Sequence, residues 1–297
     1  MLRYTRTNDH SLPTMSLTIQ QALASAVAQL TEQPDTARLD AELLLAHVLH
    51  KPRTWLHTWP EQELSAEQAA QFQQLVSRRA GGEPVAHLVG QQAFWSLTLQ
   101  VTADTLIPRP ETERLVELAL ERIPAKATWR IADLGTGSGA IALALAKERP
   151  NSLVMATDRS ATALAVARDN ARRNQLGNVQ FRQGNWLEAL QDEAGFDMII
   201  SNPPYIKVED PHLQQGDVRF EPAGALKAGR AGLDDLQHII QNALPHLKAG
   251  GWLLLEHGYD QGKAVVQLLK QAGYEQVRDY TDLAGQPRVA EGRKPLE

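Results

Sequence analysis

The chain has 297 residues, of which 43% are hydrophobic and 22% are charged, and its formal net charge is −5. This composition is typical of a folded protein with one large and one smaller domain, and it excludes a protein that binds mainly through phosphate groups. The sequence has no cysteine, which excludes disulfides, thiol catalysis and cysteine-based metal sites. No segment has the apolar length of a membrane span or a signal peptide, so we expect a cytoplasmic monomer that contacts no membrane.

The first third of the chain predicts helices. Apolar residues recur at helical spacing in two early segments, the first of them after Ser16 as a candidate cap. Ser65 and Gln68 have the spacing of a capping box at the start of a further helix. Residues 1–14 are polar and aperiodic, which predicts a flexible tail and leaves Met15 as an alternative start.

The helical pattern ends at Gly81-Gly82-Glu83-Pro84. Phe94–Val101 then has the aromatic and β-branched content of a strand, or of a hairpin that links two domains. Pro110 suits the first position of a helix that has Glu111 and Glu113 in its first turn.

From there onward, short apolar strands alternate with helices rich in Ala and Leu, the pattern of a mostly parallel sheet covered on both faces. The predicted strands are Trp129–Leu134, Ser152–Thr157, Asn178–Arg182, Phe196–Ile200 and Gly251–Glu256. The predicted helices are Ala140–Glu148, Thr162–Arg173 and Leu233–Leu247. Tyr274–Tyr280 and Arg288–Ala290 are expected to add an antiparallel pair.

Clusters of polar residues and glycines follow the first four strands directly. In chain order they are the loop Gly135, Thr136, Gly137, Ser138 and Gly139; Asp158; Asn185 with Trp186; and Asn202. The carboxyl ends of parallel strands lie at one edge of a sheet, where open α/β folds bind their ligands. We therefore expect the four clusters to form one binding site.

The first three clusters predict a cofactor that contains adenosine. A glycine-rich loop before a helix favours a nucleotide-type ligand, and the spacing Gly135-x-Gly137-x-x-Ala140 also fits a dinucleotide. Asp158 can accept hydrogen bonds from both ribose hydroxyls, or it can cap the next helix, a role for which Ser160 is equally suited. The amide and indole at 185 and 186 can contact adenine, although a core tryptophan is an equal alternative. NAD and S-adenosylmethionine both remain compatible with these clusters.

The corner Asn202-Pro203-Pro204-Tyr205 separates the two cofactors. A stiff turn that merely ends a core strand is the simpler interpretation. The Asn202 side-chain oxygen and the Pro203 carbonyl can, however, accept hydrogen bonds from an –NH2 group, and these bonds strengthen as the nitrogen attacks a methyl group. Tyr205 can stack on the planar group. Hydride transfer needs a proton relay, which does not accompany these strands, so we predict methyl transfer from S-adenosylmethionine.

These segments resemble one family, the protein-(glutamine-N5) methyltransferases that modify class 1 peptide-chain release factors. The resemblance extends from about Ser16 to Arg293. It rests on the glycine loop, the corner at 202–205 and four further motifs: Gly82–Leu88, Phe94–Leu97, Leu106–Glu113 and Asp217–Pro222.

The resemblance implies a role for each cluster. The residues expected to bind S-adenosylmethionine, which leaves as S-adenosylhomocysteine, are Gly135, Thr136, Gly137, Ser138, Gly139, Asp158, Trp186 and Asn202. The expected catalytic residues are Asn202, Pro203 and Tyr205, and Pro204 completes the site for the glutamine of the release factor's Gly-Gly-Gln motif. Two residues depart from the family pattern: Asn185 stands where Asp is expected, and Ala93 stands where an acidic residue is more usual.

The resulting fold prediction is an α/β, Rossmann-like S-adenosylmethionine-dependent methyltransferase sheet with a small N-terminal helical domain. The predicted divisions are a flexible tail at 1–14, a helical substrate-docking domain at 15–91, a β-hairpin linker at 92–106 and a methyltransferase domain at 107–297.

Two other functions are compatible with the corner. The same acceptors suit the exocyclic amine of adenine (N6) or cytosine (N4) in a nucleic acid. Residues 1–100, however, carry seven Lys and Arg against nine Asp and Glu, whereas a nucleic-acid recognition domain is basic, so we expect no direct nucleic-acid contact. The second alternative is a module that only binds the cofactor. The corner argues against it, because binding alone does not need acceptors that stabilise a transition state. No metal is expected.

Overall fold

The computed structural model describes residues 17–32, 34–193 and 195–297. Two units divide the chain between Val89 and Gly90. The predicted tail, the alternative start at Met15 and the candidate cap Ser16 lie outside the described residues. The domain boundaries proposed from the sequence stay predictions.

The first unit is helical. Its helices are α1 (Ile19–Gln29), α2 (Ala37–Leu49), α3 (Arg53–Thr58), α4 (Ala66–Ala80) and α5 (Val85–Val89). Thr18 caps α1, since its hydroxyl accepts from the Gln21 backbone N–H. Ser65 and Gln68 form the predicted capping box of α4. The helices bury an apolar cluster of their own, which includes Leu23, Leu45 and Val76.

The second unit begins with a hairpin formed by β1 (Gln91–Phe94) and β2 (Leu97–Gln100). The predicted hairpin is confirmed, although its first strand begins at Gln91, before the segment Phe94–Val101. Its role as a linker between domains stays a prediction. The turn lies at Trp95 and Ser96. Trp95 has φ 56°, a left-handed backbone conformation that aromatic residues rarely adopt, so its identity gave no indication of a turn.

The main sheet has seven strands in the order β5-β4-β3-β6-β7-β9-β8. They are β3 (Arg130–Leu134), β4 (Leu153–Asp158), β5 (Val179–Gln183), β6 (Phe196–Ser201), β7 (Leu247–Glu256), β8 (Glu275–Thr281) and β9 (Pro287–Arg293). The first five are parallel, and β9 runs antiparallel to both of its neighbours. The predicted α/β, Rossmann-like fold with its antiparallel closing pair is confirmed.

Helices cover both faces of this sheet. They are α6 (Glu113–Arg122), α7 (Ala140–Glu148), α8 (Ala161–Arg173), α9 (Asp234–Ala243) and α10 (Gly262–Gln271). Successive strand residues alternate between two apolar clusters: Ile131 packs in the cluster that contains α6 and α7, and Ala132 packs in the cluster that contains α9 and α10. Among the described residues, no helix is long and apolar enough to cross a membrane.

Two predicted helix boundaries differ from the structure by more than one residue. A short 3₁₀ turn, Pro110–Thr112, precedes α6, so Pro110 opens that turn and not the α-helix itself. The helix predicted over Leu233–Leu247 ends at Ala243, and Leu244–His246 forms another 3₁₀ turn. Pro245, which has no backbone N–H, lies in this second turn and prevents the α-helix from continuing.

Candidate functional site

The strand order places the predicted clusters at one edge of the sheet. The chain builds β3, β4 and β5 outward in one direction, and β6 then pairs with the other side of β3. Such a reversal opens a crevice beyond the carboxyl ends of the two central strands, where open α/β sheets bind ligands. The loops after β3, β4, β5 and β6 all reach this crevice.

A first cavity of about 220 Å³ lies in the crevice. Of the residues predicted to bind a cofactor, it is lined by Gly135, Gly137, Asp158, Trp186 and Asn202. Asn185, which the sequence suggested as an adenine contact, and Pro204, which it assigned to the substrate site, also line this cavity. Residues that the sequence did not single out complete the wall: Asp104, Thr105, Leu106, Arg159, Ser160, Ala163, Gly184, Pro222, Gly224 and Ala225. All four clusters therefore meet at one cavity.

The other members of the glycine loop hold its shape. Thr136 and Ser138 are buried, and the Thr136 hydroxyl donates to Asp133 Oδ2 at 2.6 Å. Gly139 is the N-cap of α7 and has φ 89°, a conformation that favours glycine. These three residues are not part of the cavity wall, and their role in cofactor binding stays a prediction.

Asp133 is a fully buried carboxyl directly beneath the loop. Its Oδ2 atom accepts from Thr136 and from the Ala142 backbone N–H at 3.1 Å, whereas Oδ1 has no hydrogen-bond partner among the described residues. Burial raises the pKa of Asp133 to about 7, against the opposing effect of the hydrogen bond from Thr136. Sequence reasoning did not assign this residue a role.

Asp158 supports the glycine loop as well as lining the cavity. Its Oδ2 atom accepts from the Gly137 N–H at 2.9 Å, and Oδ1 accepts from the Ser160 N–H at 2.8 Å. The alternative that Asp158 caps α8 was wrong, because the Ser160 hydroxyl does so through the Ala163 N–H. Since a carboxylate oxygen accepts more than one hydrogen bond, both oxygens can still accept from a ribose.

Trp186 is half-buried: it packs against the apolar cluster that contains α9 and α10 and also lines the first cavity. Its indole Nε1 donates to Asp235 Oδ1 at 3.1 Å, and its backbone has φ 46°. The hydrogen bond fixes the ring plane beside the glycine loop. Asn185 lies in the same wall, at the position where an acidic residue was expected.

A second cavity of about 320 Å³ adjoins the first. The two share Leu106, Asn202, Pro204 and Ala225. The remaining wall of the second cavity consists of Arg109, Glu111, Pro203, Tyr205, Ile206, Val218, Leu226, Glu256 and Arg288. The whole predicted corner therefore borders this cavity, and Asn202 borders both.

Two oxygens at the corner are available as acceptors. Asn202 Nδ2 donates to the Thr112 hydroxyl oxygen at 3.1 Å, which assigns the orientation of the amide. Among the described residues, no donor pairs with Asn202 Oδ1 or with the Pro203 carbonyl. A substrate N–H group would therefore meet two oxygens that have not already formed hydrogen bonds.

Glu256 is a buried carboxyl in the wall of the second cavity, with 1% of its surface exposed. Its Oε1 atom accepts from the Tyr205 hydroxyl at 3.3 Å, and Oε2 has no partner among the described residues. Burial raises the pKa of Glu256 to about 7, although the nearby Thr112 hydroxyl and the charge of Arg288 oppose this shift. The sequence held one signal for it, a carboxylate that ends a predicted apolar strand at the ligand edge.

One ion pair joins two motifs that lie far apart in the sequence. The Arg109 guanidinium hydrogen-bonds Glu221 Oε1, and Glu221 Oε2 accepts from the Ile107 N–H at 3.0 Å. The pair ties the segment after β6 to the segment before α6, and both segments line the second cavity. Burial raises the pKa of Glu221, while the charge of Arg109 lowers it.

Similarity to known proteins agrees with this geometry. Residues 21–90 match the family described as the PrmC N-terminal domain, and residues 113–223 match the Methyltransferase small domain. The crystal structure of a methyltransferase from Pyrococcus furiosus aligns with a TM-score of 0.53 over 68% of this chain and 91% of that chain, at 20% identity. The fold and the match to the Methyltransferase small domain thus define a Rossmann-like methyltransferase.

Relatives at higher identity narrow this class to one family. The release factor glutamine methyltransferase of Vibrio cholerae is 50% identical over 284 residues, which cover 95% of this chain and 99% of the relative. The protein of the same name from Xylella fastidiosa (strain Temecula1) is 54% identical over 258 residues, 87% of this chain and 94% of the relative. The chain belongs to the release factor glutamine methyltransferase family, which confirms the resemblance drawn from its motifs.

Proposed function

We propose that this chain transfers a methyl group from S-adenosylmethionine to the side-chain nitrogen (N5) of the glutamine in the Gly-Gly-Gln motif of class 1 release factors. The observation that carries the proposal is the position of Asn202, which borders both cavities. A methyl donor in the first cavity and an amide in the second would meet at this residue. Fixing both reactants side by side is a main source of rate in a two-substrate reaction.

The first cavity has the groups that an adenosine-containing sulfonium needs. Asp158 offers carboxylate lone pairs to ribose hydroxyls, and Trp186 offers a fixed aromatic face to the adenine. When bound, S-adenosylmethionine supplies an electrophilic methyl group.

The corner acts on the amide nitrogen. Asn202 Oδ1 and the Pro203 carbonyl accept its two N–H groups and hold its lone pair in a fixed direction. As the nitrogen becomes positively charged its N–H groups become stronger donors, so both hydrogen bonds strengthen in the transition state. After transfer, one of the two protons passes to water. The Tyr205 ring lies in the same wall and favours a planar, partly cationic group. The stiffness of the double proline means that little reorganisation is needed at the moment of reaction.

A methyl-transfer assay with isotopically labelled S-adenosylmethionine tests the proposal. The substrates are an intact class 1 release factor, the same factor with Gly-Gly-Ala in place of Gly-Gly-Gln, a nucleic acid rich in exposed adenine and cytosine, and no substrate. Label should enter only the intact factor, on the glutamine side chain. Equal labelling of the Gly-Gly-Ala factor would reject the assigned glutamine, and labelling of the nucleic acid would favour an exocyclic-amine methyltransferase.

A further inference from the structure

We propose that Gln261 is a positioning residue, which holds the backbone of Tyr205 and so fixes the Tyr205 ring in the wall of the second cavity. The inference rests on the proposed function, because that function assigns the ring to the amide of the substrate. Gln261 lies outside both cavity walls, and sequence reasoning gave it no role.

The Gln261 side chain joins three backbone segments through a buried amide. Its Nε2 atom donates to the Tyr205 carbonyl at 3.0 Å and to the Gly232 carbonyl at 3.0 Å. Its Oε1 atom accepts from the Gly258 N–H at 2.9 Å. Only 5% of Gln261 is exposed, so the amide has little access to water. Both amide hydrogens and the amide oxygen are thus paired with backbone groups.

These three partners allow the amide only one orientation. The two backbone carbonyls only accept, so they must face the –NH2 group, and the backbone N–H only donates, so it must face the oxygen. A flipped amide would set its oxygen against both carbonyls and its N–H groups against another N–H. The Gln261 side chain is therefore a rigid link between the corner and the segment that follows β7.

Tyr205 is held at both ends by this segment. Its carbonyl is bound by Gln261, and its hydroxyl donates to Glu256 Oε1 at 3.3 Å. Glu256 is the last residue of β7 and Gln261 directly precedes α10, so both contacts come from residues 256–261. A ring bound at its backbone and at its hydroxyl leaves the cavity wall only if one of these contacts breaks. The aromatic face offered to the substrate is thereby fixed in advance of the reaction.

Gly232 shows how closely the corner approaches this link. A Cβ atom built on Gly232 would overlap the Tyr205 carbonyl oxygen and stand 2.7 Å from Gln261 Nε2, and the backbone has φ 71°. Both the space and the backbone conformation require glycine here. Gly232→Ala would therefore displace the same carbonyl that Gln261 holds, which gives a second way to loosen Tyr205.

Nuclear magnetic resonance with ¹³C-labelled tyrosine tests the link without any substrate. The chain has five tyrosines, and the ring signals of Tyr205 are identified by their loss in Tyr205→Phe. These signals should shift or broaden in Gln261→Glu, because the carboxylate sets oxygen against both carbonyls. Gln267→Glu, the same change at an exposed position of α10, is the matched control and should leave them unchanged. Unchanged Tyr205 signals in Gln261→Glu would overturn the inference.

Single-turnover kinetics at saturating cofactor test the consequence for catalysis. Gln261→Glu and Gln261→Met should each lower the transfer rate about tenfold or more, because a small displacement of a group that orients the substrate is costly. Gln261→Glu keeps the acceptor for the Gly258 N–H, so a wild-type rate in this variant would show that Gln261 only closes the turn after β7. The Kd for S-adenosylmethionine should stay near the wild-type value, since neither Gln261 nor Tyr205 borders the first cavity.

Two glycine variants test the same contact from its other side. Gly232→Ala should also lower the transfer rate about tenfold or more, whereas Gly273→Ala should transfer at nearly the wild-type rate. Gly273 likewise has a left-handed backbone, with φ 90°, but a Cβ atom there meets nothing within 4 Å. Equal losses in the two variants would contradict the link, because backbone strain alone would then account for the effect.

A double-mutant cycle separates positioning of the ring from simple support of the fold. If Gln261 acts through the Tyr205 ring, adding Gln261→Glu to Tyr205→Ala should cost less than about twofold in rate, because the ring is already absent. An equal cost in both backgrounds, or a loss that follows the fall in Tm, would mean that Gln261 only stabilises its segment. A wild-type chain that methylates no release factor would reject the proposed function instead, and the magnetic resonance result would still decide the link.

Discussion

The indole of Trp186 lies against the backbone of Gly135. A Cβ atom built on Gly135 would stand 2.8 Å from Cζ3 of the ring, and Gly135 has φ 71°. Both the space and the backbone conformation therefore require glycine at this position. The contact joins the loop after β3 to Trp186, which lies just beyond the end of β5. It therefore holds the glycine loop and the aromatic wall of the first cavity in a fixed relative position.

This contact predicts that Gly135→Ala weakens binding of S-adenosylmethionine by about tenfold or more, because the ring and the loop must separate and the left-handed conformation becomes strained. Calorimetry measures the Kd. Gly177→Ala is the control, since a Cβ there meets nothing within 4 Å and the backbone is not left-handed. An unchanged Kd in Gly135→Ala would mean that the loop does not need this geometry to bind the cofactor.

Asn202→Ala is predicted to lower the rate of methyl transfer far more than the affinity for S-adenosylmethionine. Removing an acceptor that strengthens in the transition state should lower kcat about 100-fold or more, by analogy with the loss of one preorganised donor at an oxyanion site. Single-turnover measurements with saturating cofactor give the rate. Asn242→Ala, on an exposed face of α9, should behave as the wild type. A rate within threefold of the wild type would reject the assigned role of Asn202.

Asp158→Ala is predicted to raise the Kd for S-adenosylmethionine about 10- to 100-fold, because charge-assisted hydrogen bonds to the ribose hydroxyls are lost. The loss of the Gly137 N–H partner adds to the effect. Asp169→Ala is the control, because it removes a half-buried carboxylate of α8 that pairs only with Arg172 and Arg173 among the described residues and lies outside the first cavity. Titration with NAD in parallel tests the dinucleotide alternative, and tight NAD binding without a response to S-adenosylmethionine would restore it.

Glu256 also predicts how stability depends on pH. Its folded-state pKa of about 7 lies above the ordinary value of 4.5, so the folded protein keeps this proton while the unfolded chain loses it. The contribution of Glu256 to the free energy of unfolding must then fall as the pH rises from about 4.5 to about 7. Glu256→Gln removes this pH-dependent loss. The free energy of unfolding of the variant, minus that of the wild type, should therefore be larger at pH 8 than at pH 5, by about 3 kcal/mol at most.

Urea unfolding at the two pH values measures this difference. Asp133, whose pKa burial also raises to about 7, is unchanged in the variant and should leave part of the wild-type pH dependence in place. A variant whose relative stability is the same at both pH values would show that Glu256 ionises normally in the folded protein.

The helical unit is predicted to serve the protein substrate and not the cofactor. Each unit buries apolar clusters of its own, so a chain that begins at Gly90 has the core needed to fold. It should keep its affinity for S-adenosylmethionine, since every residue of the first cavity lies after Gly90. A glutamine offers few contacts, and tight recognition of a protein needs a larger surface.

The shortened chain should therefore lose most of its kcat/KM for an intact release factor and change less towards a short Gly-Gly-Gln peptide. Circular dichroism and thermal melting establish that it is folded. Equal losses on factor and peptide in a folded protein would show that the helical unit has no part in substrate recognition.

The ligand edge could be predicted from sequence because its clusters depend on local rules. Asp158 and Asn202 each directly follow an apolar strand, and parallel strands bring their carboxyl ends together whatever the rest of the chain does. The contacts that support the corner could not be predicted in this way. Asn202 and Thr112 are 90 residues apart in the sequence, and Arg109 and Glu221 are 112 apart. Their pairing therefore depends on the tertiary packing of the strands and helices, which local sequence patterns do not specify.

If the two free acceptors at the corner bind the glutamine as proposed, they would select against a substrate whose glutamine has lost its –NH2 group. Glutamine deamidates spontaneously to glutamate, which has the same shape but carries two oxygens and no N–H. Set against Asn202 Oδ1 and the Pro203 carbonyl, such a carboxylate meets oxygen with oxygen and loses both hydrogen bonds at once. Only a glutamine that has not deamidated would then be methylated by this chain, so a methylated release factor would be one whose glutamine was intact.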